Sequence, residues 1–283
     1  MPLPEADPRA AASFSCELCP AGPIFQYRFP YRCEYARVRL EVPGLPADLE
    51  GLRVVHLTDL HLKRAWSAAY EQVVGRIREE RPDLILITGD LVDDKRDCRP
   101  AMPTLTGILE GLEGASRMGT FGILGNHDGD LLGPNLGRLP IRMITSQRVV
   151  LPFGENGAAV ELIGLPGPYR RDLTAAFVSS VPARRADAVR IVMSHYPDHL
   201  PRCMELGADV LLAGHTHGGQ ICFPNGFPPI THDGLPRKFA KGIHRVGRTW
   251  LVANRGLGFA GLPFRVFCST QVIELRLVCA RAQ

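Results

Sequence analysis

The sequence predicts an α/β protein in which helices pack outside β-sheets, and three observations support this. Short aliphatic and β-branched runs recur along the chain, stretches with helical spacing lie between them, and no linker or internal repeat divides the chain. The 283 residues are 45% hydrophobic and 22% charged, which is typical of globular proteins and excludes disordered and fibrous classes. We therefore expect one main domain.

The first 34 residues are expected to form an extension, a loop with an edge strand, in front of a domain at 35–283. Residues 1–23 are rich in Ala, Pro and acidic side chains, whereas apolar and polar residues alternate in 25–31 and 38–42. Alternation indicates strands with one buried face, and we interpret the aromatic residues of 25–32 as a cross-strand ladder. The alternative is contact of these aromatics, interleaved with Arg28 and Arg32, with a membrane surface.

From residue 53 onward, strand-like runs alternate with helical spacing. Tyr70, Val73 and Ile77 fall on one face of a predicted helix, and a second helix is expected near 199–206. The run 84–87 is apolar throughout, as in a strand covered on both faces. Strands are expected at 53–58, 84–87, 120–124, 158–164, 190–193, 210–213, 250–253 and 271–278.

Charge and hydropathy narrow the choice of partners and compartment. The net charge of +4 is too small to indicate a nucleic-acid partner. No apolar stretch reaches the roughly 18 residues of a membrane-spanning helix, and residues 1–14 lack the core of a signal peptide. We expect a cytoplasmic protein, with a peripheral position on the inner face of the membrane left open. Cys16 and Cys19 are interpreted as ordinary thiols, because no partner pair for a zinc site lies nearby.

Polar side chains that can bind metals follow five of the predicted strands. Ligands of an open α/β sheet bind beyond the carboxyl ends of its strands, so these side chains are expected to meet at one edge. Residues i and i+2 of an extended chain share a face, which would aim Asp59 with His61, and His215 with His217, in one direction. The five segments are D-L-H at 59–61, G-D-L-V-D at 89–93, G-N-H-D at 125–128, S-H at 194–195 and G-H-T-H-G-G-Q at 214–220.

This donor set favours a transition-metal site. Carboxylate oxygens and imidazole nitrogens without thiolates suit manganese, iron or zinc better than calcium. Each segment alone is explained by a helix cap, a turn or a core histidine, but together they would bury too many unpaired ionisable groups. The remaining histidines that fit no such position are expected to be ordinary surface or core residues: His56, His199, His232 and His244.

The ordered motifs D-L-H, G-D-L-V-D, G-N-H-D, S-H and G-H-T-H resemble those of the calcineurin-like metallophosphoesterases, from about residue 50 to the C-terminus. The segments 214–220 and N-R-G-L-G at 254–258 further resemble a bacterial, membrane-associated phosphodiesterase branch. The resemblance implies a metallophosphoesterase fold, which is a four-layer α/β/β/α sandwich of two mixed sheets. It also implies two divalent metal ions, manganese, iron or zinc, as cofactors.

The resemblance assigns roles to individual positions. His127 would protonate the leaving oxygen or stabilise the phosphoryl group, Asp93 would orient His127, and Asp128 would hydrogen-bond within its loop. The first metal would be bound by Asp59, His61, Asp90 and His217. The second would be bound by Asp90, Asn126, His195 and His215, so that Asp90 bridges the two ions.

The implied function is hydrolysis of a phosphodiester or diphosphate bond in a lipid-linked or nucleotide-like substrate, by attack of a hydroxide shared between the two metals. A narrower alternative is a UDP-2,3-diacylglucosamine pyrophosphatase of lipid A synthesis. An alternative of another class is a non-catalytic metal-binding scaffold, although every expected ligand is present.

The C-terminal third offers two features for substrate binding. Cations between Arg237 and Arg255 either recruit anionic lipid headgroups or form a solvated face. We interpret the apolar residues that follow as core rather than as an acyl-binding groove: Phe259, Leu262, Phe264 and Phe267.

Overall fold

The computed structural model describes residues 13–17, 25–27, 33–129, 132–166 and 171–280. The predictions for the thiols of Cys16 and Cys19 and for side chains 28–32 lie outside this description. The strands are β1 (Ser13–Glu17), β2 (Phe25–Tyr27), β3 (Glu34–Val42), β4 (Arg53–Leu57), β5 (Leu84–Thr88), β6 (Thr120–Ile123), β7 (Arg142–Met143), β8 (Gln147–Pro152), β9 (Ala159–Gly164), β10 (Ala188–Met193), β11 (Val210–Ala213), β12 (Gly242–Val246), β13 (Thr249–Ala253), β14 (Phe264–Val266) and β15 (Gln271–Cys279). The α-helices are α1 (Ala68–Glu80), α2 (Met102–Leu112), α3 (Gly133–Leu136), α4 (Arg171–Ser180) and α5 (Leu200–Glu205).

Two large mixed sheets form the centre of the protein. The first has the strand order β1-β3-β15-β4-β5-β6-β7, and β4 to β7 run parallel to one another. The second has the order β12-β13-β11-β10-β9-β8, with β13, β11, β10 and β9 parallel. A two-stranded sheet pairs β14 with β2. In each large sheet, the parallel strands therefore deliver their carboxyl ends to one edge.

Three hydrophobic clusters separate four layers. The largest lies between the two sheets and joins side chains such as Leu86 of β5 and Leu212 of β11. A second packs the other face of the first sheet against α1 and α2, and a third packs the second sheet against α4 and α5. Strands covered on both faces need apolar residues at every position, which explains the uninterrupted run 84–87. The predicted four-layer α/β/β/α sandwich is confirmed.

Several elements were not predicted from the sequence. Helix α2 has the sequence M-P-T-L-T-G-I-L-E-G-L, and its proline and two glycines are residues that normally argue against a helix. Pro103 is tolerated because it lies in the first turn, where a main-chain N–H would have no partner within the helix. Helix α4 and strands β8 and β12 were also not predicted. In the described residues, no helix is both long and apolar enough to cross a membrane.

The N-terminal segment differs in part from its prediction. The backbone of β1 pairs antiparallel with β3 at the edge of the first sheet. In β2, however, Gln26 is the buried residue, while Phe25 and Tyr27 point outward. The Phe25 ring stacks on Phe264 across the strand pair, with centroids 6.0 Å apart. The predicted cross-strand aromatic contact is therefore present for Phe25, and the buried side of β2 is the one that carries Gln26. The boundary between an extension and a domain at 34–35 stays a prediction.

Candidate metal centre

The predicted ligands lie directly beyond the carboxyl ends of five strands from both large sheets. Asp59 follows β4, Asp90 follows β5 and Asn126 follows β6, while His195 follows β10 and His215 follows β11. The two sheets face each other across the central core, so these strand ends open onto one shared space. The convergence expected from the sequence is thus produced by two sheets rather than by one.

The backbone at the ligands is not extended, contrary to the geometry assumed for the i, i+2 pairs. Five of the seven predicted ligands have φ between 42° and 65°, in the left-handed region. That region costs L-residues roughly 1–2 kcal/mol each and is retained mainly at functional sites. The pairs converge because the chain turns at each donor. The five residues are Asp59, His61, Asp90, His215 and His217.

Asp59, His61 and His217 form the first group of donors. The Nε2 atoms of His61 and His217 are 3.0 Å apart, and His217 Nε2 lies 3.2 Å from Asp59 Oδ1. The side chains of all three residues are buried. Donor atoms this close from three side chains can bind one divalent ion.

Asp90 connects this group to a second one. Its Oδ2 atom lies 3.3 Å from His61 Nε2 and also 3.3 Å from His195 Nε2. On the far side, His195 Nε2 is 3.0 Å from Asn126 Oδ1. One carboxylate oxygen therefore stands between imidazoles of the two groups, as a bridging ligand would.

In three of the predicted histidine ligands, one of the two ring nitrogens faces an oxygen atom and leaves the other ring nitrogen for an ion. His195 Nδ1 is 2.8 Å from Thr88 O, and His61 Nδ1 is 3.1 Å from Asp93 Oδ1. His215 Nε2 is 3.2 Å from the carbonyl oxygen of His232, which leaves Nδ1 as the nitrogen for an ion. Metal-binding histidines commonly donate their other N–H in this way, which fixes the ring and its tautomer.

The site carboxyl groups remain charged despite burial. Burial alone would raise the pKa of Asp59, but His217 and His195 hold that pKa below its usual value. Burial opposes ionisation of Asp90 in the same way, and His195 and His61 lower its pKa.

The imidazoles respond to the same two opposing effects. Burial lowers the pKa of His217 to about 4. Burial also disfavours the charged forms of His61 and His195, but neighbouring carboxylates, chiefly Asp90, raise the pKa values to about 9 and about 10. Without an ion, these two imidazoles carry the positive charge that balances the carboxylates, and binding of an ion would displace the protons from their ligating nitrogens. Oxygen and nitrogen donors, fixed rings and two charged carboxylates fit a pair of divalent ions.

His127 lies beside the donor groups, with its ring centroid 4.6 Å from that of His61. Its Nδ1 atom is 2.6 Å from the carbonyl oxygen of Asp93, and its main-chain N–H donates to Asp90 Oδ1 at 2.7 Å. The sequence assigned the orientation of His127 to the carboxylate of Asp93, and this detail was wrong. The carboxylate instead contacts His61 and Lys63, and the main chain of Asp93 orients His127.

Asp128 is a buried carboxylate that ties two ligand loops together. Its Oδ1 accepts from the main-chain N–H groups of Leu91 and Val92, and its Oδ2 accepts from Gly125. Burial, with a contribution from Asp90, raises its pKa to about 6. The predicted bonding within its own loop is present through Gly125, and the bonds to 91–92 were not predicted.

A cavity of about 570 Å³ opens onto this centre, and Asn126, His127, His215 and His217 are among its lining residues. Its lining also includes apolar residues such as Ile230.

The interpretation of the C-terminal aromatic segment as core was only partly right. Phe259 is buried, but Leu262 is 50% exposed and lines the cavity, and Phe267 is 36% exposed. Segment 260–264 leads into β14, which pairs with β2 in the small sheet.

Four residues around the centre were not identified from the sequence. His232 supports His215 through its carbonyl oxygen, and Tyr196 brings its hydroxyl to 3.4 Å from Asn126 Oδ1. Arg265 contacts His217, and Asn254 donates to the carbonyl oxygen of His56. Only Asn254 carried a sequence signal, within N-R-G-L-G; the others act through contacts between distant segments.

The sequence profile of the calcineurin-like phosphoesterase family matches residues 52–219. The uncharacterized metallophosphoesterase Cj0846 of Campylobacter jejuni is 29% identical over 86% of this chain, which covers 63% of that protein, less than two thirds of its length. The uncharacterized metallophosphoesterase YkoQ of Bacillus subtilis is 29% identical over 79% of this chain and 82% of its own. The phosphodiesterase YaeI of Escherichia coli is 29% identical over 80% of this chain and 82% of its own.

Proposed function

The chain belongs to the calcineurin-like phosphoesterase family and is therefore a metal-dependent phosphoester hydrolase, and we propose that it cleaves a phosphodiester or diphosphate bond. The relative YaeI is a phosphodiesterase. The observation that carries the proposal is the position of Asp90 Oδ2, 3.3 Å from an imidazole nitrogen on each side. Such a bridging carboxylate favours two adjacent ions over one.

The seven donors divide into two ion sites in this proposal. Asp59, His61 and His217 would hold the first ion, since their donor atoms form one close group. Asn126, His195 and His215 would hold the second, with Asp90 shared: His195 contacts Asn126 and Asp90, and its ring lies 5.1 Å from that of His215. When bound, the two ions, manganese, iron or zinc, supply positive charge for phosphoryl oxygens and acidify a water molecule.

The chain's own contribution to leaving-group departure is assigned to His127. Its Nδ1 contacts the Asp93 carbonyl oxygen, so Nε2 is the nitrogen available to the cavity. From there it donates a proton to the oxygen of the departing group, or a hydrogen bond to the phosphoryl group.

A substrate with an apolar portion, presented by a membrane surface, is the second part of the proposal. Seven of the eight exposed large apolar side chains in the described residues lie on three connected segments, two of which line the cavity through Ile230 and Leu262. Strand β14 pairs with β2, and Gln220 donates to the carbonyl oxygens of Ala260 and Leu262. We call these side chains the apolar rim: Phe25, Tyr27, Phe223, Phe227, Ile230, Leu262 and Phe267.

The charge beside the apolar rim suits an anionic lipid surface. The guanidinium of Arg237 lies 5.9 Å from the centre of the Phe227 ring, and Lys241 donates to the carbonyl oxygen of Gly226 in the same turn. Aromatic side chains next to cations are typical of surfaces that contact anionic lipids. Contiguous exposed apolar patches beside a binding cavity indicate a binding surface rather than ordinary exposure. A lipid-linked substrate is therefore favoured over a nucleotide-like one.

The first experiment measures metal content and bond preference. Wild-type protein is expected to bind two equivalents of Mn²⁺ or Zn²⁺ and to hydrolyse bis(p-nitrophenyl) phosphate faster than p-nitrophenyl phosphate. Asp90→Asn is expected to weaken both ions together, because the shared ligand serves both. A preference for the monoester would contradict the bond assignment, and a variant that keeps two tightly bound ions would contradict the bridge.

The second experiment tests the apolar rim. Phe223→Ser combined with Phe227→Ser is expected to reduce binding to vesicles containing anionic phospholipid, while hydrolysis of the soluble diester stays unchanged. Trp66→Ser is the matched control, because among the described residues Trp66 is the exposed large apolar side chain outside the rim. Equal binding by wild type and the double variant would exclude this surface. Hydrolysis of lipid-linked diphosphates in vesicles is then measured, with UDP-2,3-diacylglucosamine as one test substrate. A clear preference for this compound would support the narrower alternative, a UDP-2,3-diacylglucosamine pyrophosphatase.

A further inference from the structure

Arg265 in β14 is a fully buried cation with an unusual set of partners. Its residue exposure is 1%, and no carboxylate among the described residues forms an ion pair with it. Arg190, which is also 1% exposed, does pair with a carboxylate, at 2.7 Å from Glu161. Burying a guanidinium without a counter-ion is costly unless its donors are satisfied in another way.

The donors of Arg265 are satisfied by main-chain carbonyl groups of two segments. Its Nε donates to Gly258 O at 3.0 Å, and its Nη2 donates to Arg255 O and Gly258 O at 2.7 Å each. Its Nη1 donates to the carbonyl oxygen of His217 at 3.2 Å. One planar group therefore connects segment 255–258 to the main chain of a predicted metal ligand.

Arg265 also lies against the His217 ring. Its Nη2 lies 3.1 Å from His217 Nδ1. Nε2, on the other side of the same ring, lies 3.2 Å from Asp59 Oδ1 and 3.0 Å from His61 Nε2. Because a guanidinium only donates, its contact with Nδ1 does not prepare Nε2 for an ion, and the bond from Arg265 Nη1 to His217 O is the one that positions this residue.

Segment 255–258 in turn supports the loop that carries the other donors of the first group. Gly258 N–H donates to Asp59 O at 2.6 Å, and Leu257 N–H donates to Thr58 O at 3.2 Å. The approach is so close that a Cβ atom on Gly256 would lie 2.6 Å from Asp59 Cβ. Displacement of this segment would therefore move Asp59 as well as the loop that leads to His61.

We propose that Arg265 is a positioning residue that holds the first ion site together, by anchoring the main chain of His217 and the segment behind Asp59. This inference rests on the proposed two-ion centre. Arginine is needed because its rigid fork directs several donors at once, whereas the compact ammonium of lysine cannot reach both segments. Arg265 itself contacts neither substrate nor ion.

The test is a titration of the metal-free protein with Mn²⁺, monitored by calorimetry, and elemental analysis gives the number of ions bound. Arg265→Lys and Arg265→Gln are expected to weaken one of the two ions by about 10–100-fold, which is the usual effect of losing a residue that orients a ligand, and to leave the other nearly unchanged. Thermal unfolding checks that each variant is folded, and two variants are used so that one unstable protein does not end the test.

Arg190→Lys is the matched control, since Arg190 is equally buried but lies in β10 and contacts Glu161 and the carbonyl oxygen of Leu206. It is expected to lower the unfolding temperature without weakening Mn²⁺ binding. Unchanged affinity for both ions in both Arg265 variants would overturn the inference, as would an equal loss of affinity in Arg190→Lys. A wild-type protein that binds no Mn²⁺ would instead contradict the proposed function.

Discussion

At the scale of single residues, the main feature of the centre is that one ring nitrogen of each of four histidines already contacts an oxygen atom of the protein. His127, His61, His195 and His215 each have one ring nitrogen against a fixed oxygen and direct the other towards the cavity or the neighbouring donors. Fixing one nitrogen selects the tautomer and the direction of the other, so the rings need not reorganise when an ion or substrate arrives.

His127→Ala is expected to keep both ions and to lower turnover of a diester by about 10²–10⁴-fold, the usual loss for a missing general acid. The variant removes the Nε2 donor of the cavity, while the main-chain N–H that donates to Asp90 is retained. Metal content and steady-state kinetics measure the two effects separately.

The control for this prediction is His244→Ala, because His244 lies in β12 and contacts Lys241 O. Wild-type turnover in His127→Ala would remove the assigned role. Loss of metal together with activity would indicate that His127 is a ligand instead.

At the scale of elements, the strand ends determine where the donors lie, and small residues make the close approach possible. Gly214 follows β11, and a Cβ atom there would lie 2.0 Å from Thr58 Oγ1 and 2.2 Å from Asp59 Oδ2. The end of a strand in the second sheet therefore packs directly against a ligand from the first. Any side chain at 214 would separate the two sheets at the centre.

Gly214→Ala is expected to destabilise the fold by about 1–3 kcal/mol, the typical cost of overpacking, and to weaken metal binding by displacing Asp59. Urea unfolding and Mn²⁺ titration measure the two effects. Gly75→Ala is the paired control: it lies within α1 with no atom near its would-be Cβ, and it is expected to stabilise by about 0.5–1 kcal/mol. A Gly214→Ala protein as stable as wild type, with unchanged affinity, would refute the packing argument.

The strands themselves were largely predictable, whereas the geometry of the ligand loops was not. Runs such as 84–87 and 210–213 are apolar throughout because both sheet faces are covered, and this pattern is visible in the sequence. The left-handed turns at Asp59 and His61 carry no such signal, because their strain is compensated by contacts with segments distant in the chain.

At the scale of the whole molecule, the centre joins the two sheets, so metal binding and folding are expected to be coupled. An ion that binds only the native state at a free concentration 100 times its dissociation constant adds about 2.7 kcal/mol of stability. For a protein of this size, removing one such ion by a chelator is expected to lower the unfolding temperature by about 5–10 °C.

Differential scanning calorimetry with and without chelator measures this shift. Re-addition of Mn²⁺ should restore the unfolding temperature, and Asp90→Asn should show a smaller response to chelation than wild type. An unfolding temperature that does not depend on the chelator would mean that the donors do not bind an ion in the native state.

The sequence by itself determined the layered α/β class, most strands, the family and which residues are candidate donors, because these depend on local hydrophobic pattern and on side chains that follow strand ends. Only the tertiary structure decided that two sheets supply the donors, that the main chain of Asp93 orients His127, and that Arg265 contacts His217. Such contacts join residues far apart in the chain. These contacts are set by how whole layers pack against one another, and a local sequence pattern does not encode that packing.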